Sequence, residues 1–79
     1  MDRKAFNAAM SQYVNFTPFS PFTVALTNGD RLEIDHRNAV AFRDGTALFA
    51  GPGGTPHIFD YQSVTQIIGD LAGNTSDLN

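Results

Sequence analysis

The chain has 79 residues, 42% of them hydrophobic and 16% charged, with no cysteine and no tryptophan. That length holds one domain, and the missing cysteines exclude a disulfide framework, a thiolate metal site and a thiol nucleophile. Five basic residues against eight acidic ones leave a formal net charge of −3, which disfavours nucleic acid as a partner because phosphate binding needs clustered Lys and Arg.

No apolar run approaches the ~20 residues of a membrane span. The opening Met-Asp-Arg-Lys-Ala-Phe-Asn lacks the apolar stretch of about 7–15 residues that a signal peptide carries. The expectation is a cytoplasmic protein with no membrane association. A domain of about 60 residues buries only roughly 60% of its unfolded surface, so the core must be economical.

Helical periodicity is confined to the start. Phe6, Ala9, Met10, Tyr13 and Val14 follow the spacing that places them on one face of a helix, over about residues 3–14. Arg3, Lys4, Asn7, Ser11 and Gln12 fall on the other side. Asp2 is suited to cap the first turn, where free amide protons need an acceptor. Thr17 precedes Pro18 and is thereby pushed out of the α region, which ends the helix. A helix this short is marginal alone and must dock its apolar face; two basic residues are too few for a membrane-surface helix.

Phe16-Thr17-Pro18-Phe19-Ser20-Pro21-Phe22 follows. The prolines favour an extended polyproline-type run with Phe16, Phe19 and Phe22 along one edge. Such a run can serve as a ligand for an adaptor domain. The apolar area between two ordered segments argues instead for a connector that seals the helix against a sheet.

From Phe22 the period becomes two. Phe22, Val24 and Leu26 alternate with Thr23, Ala25 and Thr27, and after Asn28-Gly29 the alternation resumes with Leu32 and Ile34. A two-residue Asn-Gly loop would set Val24 beside Glu33. A three-residue loop, Thr27-Asn28-Gly29 with Gly29 left-handed, sets Val24 against Leu32 and Phe22 against Ile34, and the apolar match selects it. Arg43-Asp44-Gly45 then joins Ala39-Val40-Ala41-Phe42 to Thr46-Ala47-Leu48-Phe49-Ala50. An odd loop here sets Val40 against Leu48 and a two-residue loop sets it against Phe49; both remain open. Gly51-Pro52-Gly53-Gly54-Thr55-Pro56 leads into His57-Ile58-Phe59-Asp60. Tyr61-Gln62-Ser63 reads as one tight turn before a last strand, Val64-Thr65-Gln66-Ile67-Ile68. Residues 69–79 are polar and expected to form a flexible tail.

The predicted order is a helix, a four-strand meander, a tight turn and a fifth strand. The fold class is mainly β with one N-terminal α-helix: a five-stranded antiparallel sheet curled into a partly closed small barrel over residues 1–68, with the helix capping one open end.

This order resembles the Sm-like and SH3-like small barrels. Thr23-Val24-Ala25-Leu26-Thr27-Asn28-Gly29 is similar to the first strand and turn of the bacterial Sm-like RNA chaperones of the Hfq type, and residues 57–68 are similar to their closing strands. The middle departs from the family, whose second strand is longer and bent. The resemblance implies RNA contact through a Tyr-Lys-His stretch, which falls on Phe59-Asp60-Tyr61. Asp60 stands at the lysine position and Tyr61 at the histidine position, so a carboxylate occupies the place of a phosphate ligand. In pattern the chain is also similar to a group of short bacterial proteins with a Pro-Phe-Thr-Val…Asp-Gly-Arg…His motif. Here it reads Pro21-Phe22-Thr23-Val24, Asn28-Gly29-Asp30-Arg31 and His36. That likeness implies a shared architecture and no activity.

Residues capable of chemistry are few. His36 next to Asp35 is a candidate base or metal ligand, but strand neighbours point to opposite faces; the expectation is a partly buried strand-end histidine bonded to a loop carbonyl. His57 and Asp60, three apart in a presumed strand, share no ligand face. The glycines at 51–54 precede a strand and lack the lysine of a phosphate loop, so they read as a hairpin connection. No serine sits on a nucleophile elbow. Arg31, Arg37 and Arg43 recur every six residues and suggest a basic rim, offset by Asp30, Glu33, Asp35 and Asp44.

With no catalytic spacing and no implied cofactor or metal, the sequence points to a non-enzymatic interaction module that binds a protein partner or assembles with itself. Its candidate surface comprises Arg31, His36, Arg37, Arg43, Phe59 and Tyr61. Thr46–Ala50 is the expected free edge, being short and uncharged. The alternative is an Sm-type RNA-binding protein that stacks bases on Phe or Tyr.

Overall fold

The computed structural model describes residues 1–69. Helix α1 runs Arg3–Asn15. The Asp2 carboxylate caps it by accepting the Ala5 amide at 2.7 Å, satisfying one of the free donors of the first turn. Phe6, Met10 and Val14, one per turn along the helix, are buried, while Ala9 and Tyr13 on the same face are half-buried.

The chain bends at Thr17–Pro18, so the three phenylalanines do not form one continuous edge. Phe22 enters the core, Phe19 packs edge-on against it at 6.2 Å and Tyr13 lies 5.1 Å from it. That cluster closes the C-terminal half of α1 over the sheet, which is the sealing role the connector reading predicts.

Six strands follow, not five. They are β1 (Phe22–Leu26), β2 (Arg31–Ile34), β3 (Val40–Arg43), β4 (Thr46–Ala50), β5 (Pro56–Asp60) and β6 (Val64–Gly69). They form two open antiparallel sheets, ordered β2-β1-β6 and β3-β4-β5. The apolar stretches around Leu32-Ile34 and Ala39-Phe42 are separate strands, divided by a 3-10 turn at Arg37–Ala39, which makes the count six. That turn carries the chain from the first sheet to the second, and a 3-10 turn at Tyr61–Ser63 carries it back.

The first hairpin has the register that the apolar match selects: Phe22 faces Ile34 and Val24 faces Leu32. Gly29 is left-handed at φ 94°, and Asn28 Oδ1 accepts the Asp30 amide at 2.9 Å, which fixes the loop. The second hairpin takes the two-residue form. Asp44 and Gly45 both have positive φ, 47° and 88°, as a type I′ turn requires, and Val40 faces Phe49.

Both sheets and α1 share one core: Phe6, Met10 and Val14 from the helix, Phe22, Val24, Leu32, Ile34 and Val64 from the first sheet, Val40, Ala47, Phe49 and Phe59 from the second. No polar or charged residue is buried among the described residues. Arg37 joins helix to sheet connection. Its Nε donates to the Val14 carbonyl at 2.7 Å and its Nη2 to the Phe16 carbonyl at 2.6 Å. The guanidinium also lies over the Phe19 ring, 5.7 Å from its centroid. The expected tail at 69–79 lies outside the described residues except for Gly69, the last residue of β6, where a Cβ would overlap the Tyr13 ring. No described helix is long and apolar enough to cross a membrane.

Candidate interaction surface

The two-residue turn of the second hairpin decides what its sheet shows to solvent. Three strands carry adjacent apolar pairs, Ala41-Phe42, Leu48-Phe49 and Ile58-Phe59. Neighbours in a strand face opposite ways, so one of each pair must point outward. The type I′ register sends Phe42, Phe49 and Phe59 inward together, with Phe49 and Phe59 buried and Phe42 half-buried. Ala41, Leu48 and Ile58 therefore align in one row across the outer face. Leu48 is 45% exposed and Ile58 75%.

Beside this row lie Arg43, Thr46 and Asp60 in register, and on the other side Ala50 opposite Pro56. An open groove of about 360 Å3 lies beside it, lined by Ala41, Phe42, Arg43, Thr46, Ala47, Leu48 and Ile58. Lone exposed apolar side chains are ordinary; here three stand side by side in one row. Full burial of one Leu or Ile is worth roughly 1.5–3 kcal/mol, so covering the row is favourable for any partner of matching shape.

The strand with open backbone groups is not the expected one. Thr46–Ala50 is the central strand of its sheet, flanked by β3 and β5, so its amides and carbonyls are taken. Among the described residues its free edges are β3 and β5. On β5 the pairing pattern is legible from its two ends: the Tyr61 amide donates to the Gly45 carbonyl and the Gly51 amide to the Thr55 carbonyl, both at 2.8 Å. Antiparallel pairing alternates. Residues 57 and 59 thus bond to β4, and Pro56, Ile58 and Asp60 turn their backbone groups to the open side.

The residues singled out in the sequence are placed apart. Arg31 is exposed on β2 and Arg43 on β3, in different sheets, while the Arg37 guanidinium is engaged at the end of α1. The three arginines therefore stand on three different elements, and one of them is committed to the helix end. Phe59 is 6% exposed and packs edge-on against Phe6 at 6.3 Å, so its ring is not offered for base stacking. Tyr61 is half-buried, with Arg3 over its ring at 5.3 Å. The Asp60 carboxylate accepts the Ser63 amide at 3.1 Å and caps the Tyr61–Ser63 turn.

His36 departs from its expected setting. Its strand ends at Ile34, so alternation no longer governs residues 35 and 36. The imidazole is exposed instead of partly buried, and its Nε2 approaches Asp35 Oδ2 at 4.0 Å. His57 stacks on Phe49 at 5.8 Å. The Gly51 amide is bonded to the Thr55 carbonyl and the Gly54 amide to the Gly51 carbonyl, so those donors of the glycine-rich loop close the hairpin and face no anion. Among the described residues no group of three His, Asp or Glu could hold a metal ion.

Leu48 and Ile58 are the residues that sequence reasoning passed over. Their signal was present as the adjacent apolar pairs, each of which must expose one member. No protein-family model, no curated protein and no solved structure matches the chain.

Proposed function

We propose that the chain is a non-enzymatic interaction module whose two open sheets are the halves of a small barrel, and that it binds a protein partner or a second copy of itself. The row Ala41–Leu48–Ile58, apolar and exposed beside the free β5 edge, supports this reading. An extended segment laid along such an edge gains main-chain hydrogen bonds, and side-chain contacts with the row select it. The RNA-binding alternative has less support, because Phe59 is buried, Asp60 stands at the expected lysine position, and the net charge is −3.

The test is capture from the native cell by the full chain and by a Leu48→Ser/Ile58→Ser variant with an unchanged melting curve. The reading expects at least one protein, or the chain itself, to be retained by the first and lost from the second. Salt-dependent binding of a uridine- or adenine-rich oligonucleotide, measured by fluorescence anisotropy, would overturn it in favour of the RNA-binding alternative.

A further inference from the structure

We infer that the edge of β5, unpaired among the described residues, is a homodimer contact, in which the strands of two copies pair antiparallel about a two-fold axis at Ile58. This rests on the reading of the chain as an interaction module and names the occupant of its edge.

The edge is complementary to itself. Ile58 turns both backbone groups outward, so across a two-fold axis it exchanges two hydrogen bonds with its own copy. Two residues along, the Asp60 amide faces the Pro56 carbonyl of the second copy, and the axis repeats that bond at the other end. Pro56 has no amide to donate, and it lies opposite Asp60, so the missing donor falls at the ends of the paired stretch and not at its centre.

Charge favours the same arrangement. Asp60 is the one charged residue of β5 (Pro56–Asp60), and the two-fold pairing sets it against uncharged Pro56 of the other copy. Like charges are thereby kept from direct opposition in a chain of net charge −3. The β2 edge, by contrast, exposes Arg31 and Glu33, the charged pattern by which sheet edges resist pairing. Joining two copies at β5 makes one six-stranded sheet whose outer row runs Ala41, Leu48, Ile58 and then the same residues of the second copy in reverse.

The size of the contact sets its strength. A standard interface takes roughly 800 Å2 from each partner, about a sixth of this chain's 4785 Å2. One five-residue edge supplies less, so the dimer is weak and its population follows concentration.

Sedimentation equilibrium and light scattering of the full chain up to millimolar concentration test this, together with Ile58→Lys, a change at a 75% exposed position whose melting curve verifies folding. The expected result is a mass rising from one chain towards two, with that rise lost in Ile58→Lys. Because the chain has no cysteine, Ile58→Cys gives a second readout. Opposed hydrogen-bonded residues lie about 5.5 Å apart at Cα, inside the range a disulfide spans. Mild oxidation should therefore link Ile58→Cys as a dimer and leave the exposed β6 position Thr65→Cys unlinked. A two-chain mass that survives Ile58→Lys, or equal linking at both positions, overturns this contact and leaves the interaction reading standing. A one-chain mass throughout, with capture that depends on Leu48 and Ile58, assigns the edge to another protein and overturns the second copy. A one-chain mass with no such capture overturns the interaction reading as well.

Discussion

The two sheets are built from similar parts, each with a glycine-containing hairpin, yet the two hairpins show opposite outer faces. In the first, apolar residues of β1 and β2 occupy alternate positions, so Val24–Leu32 and Phe22–Ile34 pair inward and Thr23, Arg31 and Glu33 remain outside. The Thr23 hydroxyl donates to Glu33 Oε1 at 2.7 Å, a polar cross-strand pair in solvent. In the second, apolar residues come in adjacent pairs, and the outside is Ala41, Leu48 and Ile58. A one-residue slip in the first sheet would bury Glu33 and is excluded by hydrophobicity alone. A slip in the second would exchange one apolar set for another, so the turn and its docking decide.

That docking is visible at Gly45. Its amide donates to Asn7 Oδ1 on α1 at 2.8 Å, its carbonyl accepts from the Tyr61 amide, and Tyr61 and Arg3 close over it. Gly29 in the first hairpin has nothing within 4 Å of a built Cβ. One turn holds its glycine between helix and sheet, whereas the other, tied to the Ser63 carbonyl through the Thr27 amide, leaves its glycine in open space.

The largest change should come from the inner row of the second sheet. Phe59→Ala is expected to cost about 3–5 kcal/mol in urea unfolding, as for a buried aromatic removed from a core; a cost below about 1 kcal/mol would place the ring at the surface after all. The two glycines sharpen the contrast between the turns. Gly45→Ala adds a Cβ 2.9 Å from the Tyr61 ring at a positive φ and is expected to cost about 2–4 kcal/mol. Gly29→Ala meets only the backbone penalty of about 1–2 kcal/mol, and equal values would break the distinction. Asp60→Ala removes a cap and should lower stability by about 1 kcal/mol without altering oligonucleotide binding. Smallest of all, Leu48→Ser and Ile58→Ser on the outer row should shift thermal unfolding by the equivalent of at most about 0.5 kcal/mol.

The sequence carried the fold where one pattern dominated. The face of α1, its Asp2 cap and the first hairpin register all follow from spacing, because each alternative would bury a polar residue or strand an apolar one. The second register was not legible from Leu48-Phe49, where both residues suit a core and the choice rests on contacts of Gly45 with residues 38 and 16 positions away. His36 was misplaced because alternation was extended past Ile34, where the strand stops. The surface was the least legible part. Analogy drew attention to Phe59 and Tyr61, whereas Ile58 between them and the loop is the exposed residue. Thr46–Ala50 looked like an edge by composition, but edge status depends on which strands flank it, and that is a property of the whole sheet.

The Arg37 contact with α1 bears on how the helix end is held. A helix of 13 residues gains little from its own hydrogen bonds, and its last turn holds no basic residue to satisfy its carbonyls. The group that does so arrives from 23 positions away and is in place only once the crossing between the two sheets has formed. Helix end and crossing therefore support each other in the folded chain, and loosening the crossing at Arg37 should fray the last turn of α1 with it.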